Sequence, residues 1–333
     1  MFEPKDYISP SIWTDLPYPN FIAWLNAREA FAEKPAILFR ECKKKEFTVW
    51  NYQYFVDRSR QIARGILAAG LQKGDRVVLW AENRPEWMAV WMGAVISGCV
   101  IVPIDFLISN EECLNIIKLT EAKAGFFSAR KADFADSLSS SGVDMNVSVM
   151  ISGEDFYHFG ADSSTQKLPN PEDIQEDDPC SIVFTSGTSG FAKGVTLKHK
   201  GIIANASAAV VMLKPKLTDV FINVLPLHHT YPTTCSFIAP LSCGIPTIVV
   251  ERLVGQVVVD DIRDGKGSFL IAVPLLYDKV MSAIEAKYQK TPFPIRFVLD
   301  IFRGIALSEA NKGNPEFGRT VFRFIRKKAG LES

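Results

Sequence analysis

One stretch of the chain has apolar residues three or four positions apart, the spacing of a helix buried along one face. These positions are Tyr52, Phe55, Val56, Ser59, Ile62, Ala63 and Ile66. The hydroxyl of Thr48 can cap the start of this helix, and Gly70 is placed to end it. Just upstream, residues 36–50 predict two strands around the turn E-C-K-K-K-E.

Helical patterns then alternate with short apolar runs. G-D-R-V-V-L-W-A-E-N predicts a strand, R-P-E-W-M-A-V-W-M-G-A-V-I-S-G a helix, and C-V-I-V-P-I-D a second strand. Another helix, N-E-E-C-L-N-I-I-K-L-T-E-A-K-A, and another strand, G-F-F-S-A, follow. Continuous apolar strands separated by helices are typical of a parallel sheet covered on both faces. The sequence therefore predicts an α/β fold of layered sheets flanked by helices.

Two uncharged stretches are long enough to raise the question of a membrane span. Residues 87–104 contain 18 positions without charge and residues 220–250 contain 31. The first changes at Ser97-Gly98 from a helical to a β-branched pattern, and the second contains four prolines, which disfavour one continuous helix. We therefore expect buried elements of the α/β core rather than transmembrane helices.

Composition and charge exclude several classes of protein. Thirty-seven basic residues balance 37 acidic ones, so the basic excess of a nucleic-acid-binding protein is absent. The six cysteines are scattered without a C-x-x-C pair, which favours reduced thiols in the cytoplasm over disulfides or a zinc site. The N-terminal residues do not have the pattern of a secretory signal.

A change of composition divides the chain. From Ser137 onward the sequence is polar and rich in small residues, and residues 166–178 are acidic with two prolines. We predict a first α/β lobe over residues 1–165 and a surface connector over 166–179. A second α/β lobe over 180–333 contains the Ser/Gly-rich segment described next and is incomplete at its C-terminal end.

The segment 184–195, F-T-S-G-T-S-G-F-A-K-G-V, follows an apolar strand and concentrates glycines, hydroxyls and one lysine. Glycines let main-chain amides approach an anion closely, hydroxyls add donors, and a lysine adds positive charge. The segment is not a Walker loop, a dinucleotide-binding fingerprint or a nucleophile elbow, because the required spacings are missing. A phosphate-binding loop is predicted, with a flexible Ser/Gly linker as the alternative.

This segment resembles the signature of the adenylate-forming superfamily, F/Y-T-S-G-S/T-T/S-G-x-P-K-G-V, whose members include acyl-CoA synthetases, firefly luciferase and adenylation domains of peptide synthetases. The resemblance extends from about Phe21 to the end of the chain and includes F-I-N-V-L-P-L-H-H-T-Y-P-T-T-C-S-F-I-A-P-L-S-C-G. The tail from residue 295 is similar to a helical stretch of long-chain fatty acyl-CoA synthetases. Ala192 departs from the pattern, which usually has proline there.

The resemblance implies a ligase that joins a fatty acid to coenzyme A through an acyl-adenylate, using ATP and Mg²⁺. It assigns the ATP phosphates to Thr185, Ser186, Gly187, Thr188, Ser189, Gly190, Lys193 and Gly194. It makes Lys193 and His229 the catalytic residues, and places His229 and Tyr231 at the acyl substrate. An apolar substrate of this kind is also compatible with peripheral contact at a membrane surface.

The neighbouring His228 and His229 raise the alternative of a metal site, which we reject on the premise that adjacent residues of a strand point to opposite faces. His228 is predicted to be structural, and Lys198, His199 and Lys200 are predicted to be surface residues that open a helix.

The family's Y-G-x-T-E block, its ribose-binding aspartate and its C-terminal lysine do not occur in the sequence. We therefore expect a fragment with little activity of its own. A ligase for another carboxylic acid and a non-catalytic binding module of the same fold remain alternatives.

Overall fold

The computed structural model describes residues 18–41, 44–185, 193–253, 255–312, 320, 322 and 323. The strands are β1 (Pro35–Phe39), β2 (Thr48–Asn51), β3 (Arg76–Trp80), β4 (Val100–Pro103), β5 (Ala124–Phe127), β6 (Val147–Met150), β7 (Pro179–Thr185), β8 (Lys193–Lys198), β9 (Phe221–Asn223), β10 (Thr247–Val249) and β11 (Phe269–Ile271).

The α-helices are α1 (Phe21–Asn26), α2 (Tyr52–Ala68), α3 (Pro85–Ile96), α4 (Asn110–Thr120), α5 (Ala132–Asp136), α6 (Glu154–His158), α7 (His199–Leu213), α8 (Thr230–Pro232), α9 (Ala239–Ser242), α10 (Gly255–Asp264), α11 (Pro274–Gln289) and α12 (Phe293–Asn311). A π-helix spans Thr233–Ile238, and short 3₁₀ helices span Ala27–Phe31, Ala129–Lys131, Ser139–Ser141, Ala161–Ser163 and Pro171–Asp173.

The strands form two mixed sheets. Sheet A has the order β11-β9-β10-β1-β2, and sheet B has the order β6-β5-β3-β4-β7-β8. Each is parallel except for one antiparallel edge strand, β2 in sheet A and β8 in sheet B. The predicted α/β class with layered, helix-flanked sheets is confirmed.

Helices cover both sheets and fill the space between them. All residues of α3 are buried, and they share one apolar core with α2, α7 and inward-facing residues of both sheets. The outer face of sheet B packs on α4 and α5, and that of sheet A packs on α10. This layering explains why residues 87–104 carry no charge, since α3 and β4 are both enclosed. None of the described helices is long and apolar enough to cross a bilayer.

Each sheet contains strands from both predicted lobes. β1 and β2 precede the predicted connector yet join β9, β10 and β11, whereas β7 and β8 follow it yet complete sheet B. The register between β1 and β10, which pairs Ile37 with Thr247, joins segments that are distant in sequence. The division into lobes at 166–179 stays a prediction, but it does not coincide with the sheets.

One predicted cap is wrong. Thr48 is not the N-cap of α2, because it lies in β2 and pairs with Phe39 of β1. The cap is Asn51, whose side chain accepts a hydrogen bond from the backbone N–H of Tyr54 at 2.8 Å. Gly70 follows the end of α2 with φ +88°, as a C-terminal glycine should.

The predicted helix in the tail is confirmed as far as Asn311. α12 has no buried residue, and several of its large apolar side chains are exposed, including Phe293, Ile295 and Phe297. The basic segment R-T-V-F-R-F-I-R-K-K lies mostly outside the described residues.

Candidate functional site

The predicted phosphate loop is the connection of a β-hairpin. β7 and β8 pair in antiparallel fashion, with Thr185 directly opposite Lys193 and Phe184 opposite Gly194. Thr185, Lys193 and Gly194 are exposed at this end of the hairpin. Ser186, Gly187, Thr188, Ser189 and Gly190 lie outside the described residues.

The position of this hairpin in the fold suits a ligand loop. β7 runs parallel to β4, where Ser181 pairs with Ile101, so Thr185 lies at the edge of sheet B where the parallel strands end. Ligands of open α/β sheets bind outside the carboxyl ends of the strands. A Cβ at position 194 would lie 3.0 Å from Ile182 Cγ2, so a larger residue there would have to displace the Ile182 side chain.

The L-P-L-H-H-T-Y motif lies at the corresponding edge of sheet A. β9 ends at Asn223, and the motif forms the turn that leads into α8. The premise of strand alternation is therefore wrong for the two histidines, whose ring centroids are 4.0 Å apart. His228 is 8% exposed, whereas His229 is exposed and Tyr231 is 48% exposed. The backbone of the turn, rather than the alternation of side chains along a strand, therefore determines which imidazole is buried.

Asn83, in the loop between β3 and α3, fixes this turn. Its Nδ2 donates to the carbonyl of Leu225 at 2.8 Å, and its Oδ1 accepts from the N–H of Leu227 at 2.9 Å. Thr233 adds a second support, because its hydroxyl lies within hydrogen-bond distance of the carbonyls of both Leu227 and His229. Asn83 ties the two sheets together at the site. In the sequence, the only sign of this role of Asn83 is that it is a polar residue between a strand and a helix.

A narrow cavity of about 10 Å³, room for roughly one water, lies between β7 and the L-P-L-H-H-T-Y turn. It is lined from sheet B by Pro103, Ser181, Val183 and Leu197, from the helices by Trp91 and Ile202, and from the motif and the π-helix by His228, Thr230, Thr233 and Thr234. Ser181 and Val183 belong to β7, the strand that leads into the predicted phosphate loop. The strand that leads into the predicted loop and the L-P-L-H-H-T-Y turn therefore line the same cavity, through Ser181 and Val183 on one side and His228 and Thr230 on the other.

His228 has an unusual electrostatic setting in this cavity. Its Nε2 atom is buried without a hydrogen-bond partner, and the nearest carboxylate oxygen, Asp105 Oδ1, is 3.9 Å away. The pKa of His228 is lowered to about 4, chiefly by burial and also by the neighbouring His229, with Asp105 opposing both. The imidazole is therefore neutral at pH 7, with a nitrogen free to form a hydrogen bond.

The residues that follow the hairpin correct another prediction. Lys198 and Lys200 do pair with Asp177, each at 2.7 Å, as surface residues can. His199, however, is 1% exposed, and its Nδ1 accepts a hydrogen bond from the backbone N–H of Phe21 at 3.3 Å. The prediction of a surface position is wrong for His199, because α1 packs over the start of α7.

A second, wider cleft of about 660 Å³ opens near the ends of β1, β3, β6 and β10. On one wall Arg84 donates its Nε to Glu86 at 3.2 Å, and Glu86 also accepts the Tyr157 hydroxyl at 3.0 Å. Glu41 pairs with Lys44 at 2.7 Å. Within the part of the chain that the structure describes, no group of three or more His, Cys, Asp or Glu side chains could hold a metal ion.

Comparison with known proteins adds a family and relatives. The sequence model of a family described as AMP-binding enzyme matches residues 25–327. The chain is 27% identical over 202 residues to 4-coumarate–CoA ligase 1 of Petroselinum crispum, covering 58% of this chain and 37% of that protein. It is 23% identical over 266 residues to crotonobetaine/carnitine–CoA ligase of Citrobacter koseri, covering 78% and 51%.

Among solved structures, the inhibitor-bound N-terminal domain of FACL13 from Mycobacterium tuberculosis superimposes with a TM-score of 0.70 at 22% identity, covering 78% of this chain and 64% of that one. This likeness confirms the fold predicted from the resemblance. The chain spans roughly two-fifths to one-half of the length of the two curated relatives.

Proposed function

The chain belongs to the AMP-binding enzyme family, and we propose that it is part of an ATP-dependent acyl-CoA ligase that acts on long-chain fatty acids. One observation carries this proposal: the strand leading into the Ser/Gly-rich loop and the L-P-L-H-H-T-Y turn line the same cavity. A ligase of this kind must hold a nucleotide phosphate and a carboxylic acid side by side. The Ser/Gly-rich loop is suited to the phosphate, and the L-P-L-H-H-T-Y turn is suited to the acid.

The proposed reaction has two steps. A carboxylate oxygen of the acid attacks the α-phosphorus of ATP, which forms an acyl-adenylate and releases pyrophosphate. The thiol of coenzyme A then attacks the acyl carbonyl, loses its proton and displaces AMP. Because the first step brings two anions together, positive charge and oriented donors are the main contribution that the protein can make.

Within this scheme the hairpin binds the leaving phosphates. Lys193 supplies one positive charge at the base of the loop, opposite the hydroxyl of Thr185. The roles of Ser186, Gly187, Thr188, Ser189, Gly190 and Gly194 as amide or hydroxyl donors follow from the motif. His229 and Tyr231 are proposed to border the acyl group, and their exposure is compatible with a partly open site. The described residues offer Mg²⁺ no ligand set, so no step is assigned to it here.

Two kinds of observation bear on the identity of the acid. The tail from residue 295 supports a long-chain fatty acid, and the exposed apolar side chains of α12 are compatible with an apolar substrate or with contact at a membrane surface. The names of the relatives favour a second candidate, because one is a ligase for 4-coumarate and the other for crotonobetaine or carnitine. The second candidate is therefore a ligase of the same type for another carboxylic acid.

ATP titration of the chain and of two lysine variants tests the nucleotide half of the proposal. Lys193→Ala should weaken ATP binding about tenfold, because one charge-assisted contact to phosphate is lost. Lys198→Ala is the matched control, since Lys198 ends the same strand and pairs with Asp177 instead. It should change the dissociation constant less than twofold. Undetectable ATP binding, or equal binding by the Lys193 variant, would contradict the proposal.

Titrations with dodecanoate, 4-coumarate and carnitine test the acid half. Saturable binding of dodecanoate, tighter than that of the other two, is the expected result. Tighter binding of 4-coumarate or carnitine would replace the long-chain proposal by the second candidate and would leave the ligase assignment in place.

A further inference from the structure

We propose that His228 binds one internal water molecule, and that this water joins the L-P-L-H-H-T-Y turn to β7. The site is the narrow cavity between these two elements, and its ligand is water alone. The hydration site goes beyond the proposed ligase function and does not depend on which acid the ligase takes.

The first support is an imidazole nitrogen that has no partner in the protein. His228 is 8% exposed, and its Nε2 is buried without a hydrogen bond. Buried polar atoms in native proteins nearly always bond to another protein atom or to an ordered water. An atom left unpaired would lose its hydration on folding and gain nothing in return. Nε2 of His228 therefore requires a partner in the folded protein.

The nearest charged group does not serve as that partner. Asp105 Oδ1 lies 3.9 Å from His228 Nε2, which is too long for a direct hydrogen bond. The same oxygen already accepts the backbone N–H of Leu107 at 2.9 Å. Separations of this size between polar atoms are commonly filled through a water.

The second support is the size of the cavity. Its volume of about 10 Å³ is close to the minimum that holds one water molecule. A carboxylate or a phosphate with its attached atoms needs several times this space. The cavity therefore selects water by size.

The third support is the arrangement of polar groups around the cavity. Ser181 supplies a hydroxyl from β7, and Thr230, Thr233 and Thr234 supply hydroxyls from the opposite side, next to His228. A buried water typically makes about three hydrogen bonds, and each hydroxyl can act as donor or acceptor. One water can therefore bond to the imidazole on one side and to a hydroxyl of β7 on the other.

The charge state of the imidazole is compatible with this partner. The lowered pKa of His228, about 4, keeps the ring neutral at pH 7. In a neutral imidazole Nε2 either donates its N–H or accepts a hydrogen bond, and water can provide the complementary group in both cases. An imidazolium would require stronger solvation than a single water gives.

The position of the water connects the two motifs of the proposed site. Ser181 lies in the strand that leads into the predicted phosphate loop, and His228 directly precedes His229 in the turn. The water therefore forms a bridge between the two sheets, in addition to the hydrogen bonds of Asn83 to Leu225 and Leu227.

A high-resolution crystal structure of the unmodified chain is the first test. We expect one isolated peak of electron density within hydrogen-bond distance of His228 Nε2 and of at least one hydroxyl of the cavity. The absence of such a peak, or a direct hydrogen bond from Nε2 to Asp105 or to a hydroxyl, would overturn the proposal.

Oxygen-17 magnetic relaxation dispersion, which counts long-lived internal waters, is the second test. In His228→Phe the ring has no polar atom and is larger, so it should take the place of the water and lower the count by one. Ser207→Ala is the matched control, because the Ser207 hydroxyl is buried but bonds to the carbonyl of Ile203 within α7 at 2.8 Å. Its count should equal that of the unmodified chain.

The two measurements decide the question together. An unchanged count in a folded His228→Phe variant would contradict the proposal, as would an equal loss in Ser207→Ala. If the phenylalanine variant fails to fold, the crystal structure of the unmodified chain still decides whether the water is bound.

Discussion

Acid should destabilise this protein through His199, and substitution of His199 by Asn should remove that part of the effect. His199 opens α7, is 1% exposed, and accepts the backbone N–H of Phe21 through Nδ1 at 3.3 Å. That N–H belongs to the first turn of α1, where a helix has no internal acceptor to offer. Only the neutral imidazole can accept this hydrogen bond, so protonation breaks it.

The magnitude follows from the pKa of the folded state. Burial lowers the pKa of His199 to about 4, with Asp178 opposing and Lys73 assisting. The unfolded chain has a normal histidine pKa of about 6.5, so it binds a proton at higher pH than the folded protein does. The stabilisation is therefore complete above about pH 6.5 and is lost as the pH falls towards 4. Between pH 7 and pH 5 one such histidine removes about 2 kcal/mol from the free energy of unfolding.

The assay is urea unfolding at pH 7, 6 and 5, with the chain and two variants compared. His199→Asn keeps an acceptor close to the place of Nδ1 and cannot titrate in this range. It should lose stability at pH 7 through poorer packing against Phe21, whose ring centroid lies 5.6 Å away. Its decline between pH 7 and pH 5 should be about 2 kcal/mol smaller than that of the unmodified chain.

His158→Gln is the control, because His158 is exposed and should leave the pH dependence unchanged. The pKa of His228 is also lowered to about 4, so His228 contributes a similar loss of stability in acid. This contribution is the same in the unmodified chain and in both variants. Equal slopes for the chain and His199→Asn would refute the reasoning, because they would mean that the Phe21 contact does not depend on the charge of His199.

Two further predictions concern the contacts that hold the sheets and the site. Asn83→Ala leaves the buried Leu225 carbonyl and Leu227 N–H unpaired and should lower the free energy of unfolding in urea by about 2–4 kcal/mol. A loss under about 0.5 kcal/mol would contradict the role of Asn83. Asp261→Asn removes the buried charge that faces Arg40 Nη2 at 2.6 Å and should lower the free energy of unfolding by about 3 kcal/mol. Asp264→Asn, at a more exposed partner of the same arginine, should lower it by less than about 1 kcal/mol. Equal losses in thermal unfolding would show that burial does not set the difference.

Local periodicity was enough to predict the helices and strands between residues 52 and 127. The three-and-four spacing found α2, and the alternation of apolar strands and helices found β3, α3, β4, α4 and β5. The misplaced cap has a local cause too, because Thr48 and Asn51 both suit an N-cap, and only the pairing of β2 with β1 decides between them. Motif spacing also placed the predicted loop directly after an apolar strand, which the structure shows as β7; its antiparallel pairing with β8 was not predicted.

What the sequence could not supply is contact between distant segments. The parallel pairing of β1 with β10 joins Ile37 to Thr247, and no local pattern predicts it. His199 looked like a polar residue between two lysines, and its burial depends on α1, which lies far upstream. Asn83 shows the same limit, since its partners Leu225 and Leu227 belong to the other sheet.

The two histidines of the motif illustrate how such contacts decide chemistry. A sequence pattern fixes the order of His228 and His229 but not the rotation of the turn that carries them. That rotation is set by Asn83, which holds the carbonyl of Leu225 and the N–H of Leu227 immediately before the histidines. Loss of these two hydrogen bonds should therefore change how far each imidazole is buried. The burial of His228 beside an exposed His229 therefore depends on a residue from the other sheet.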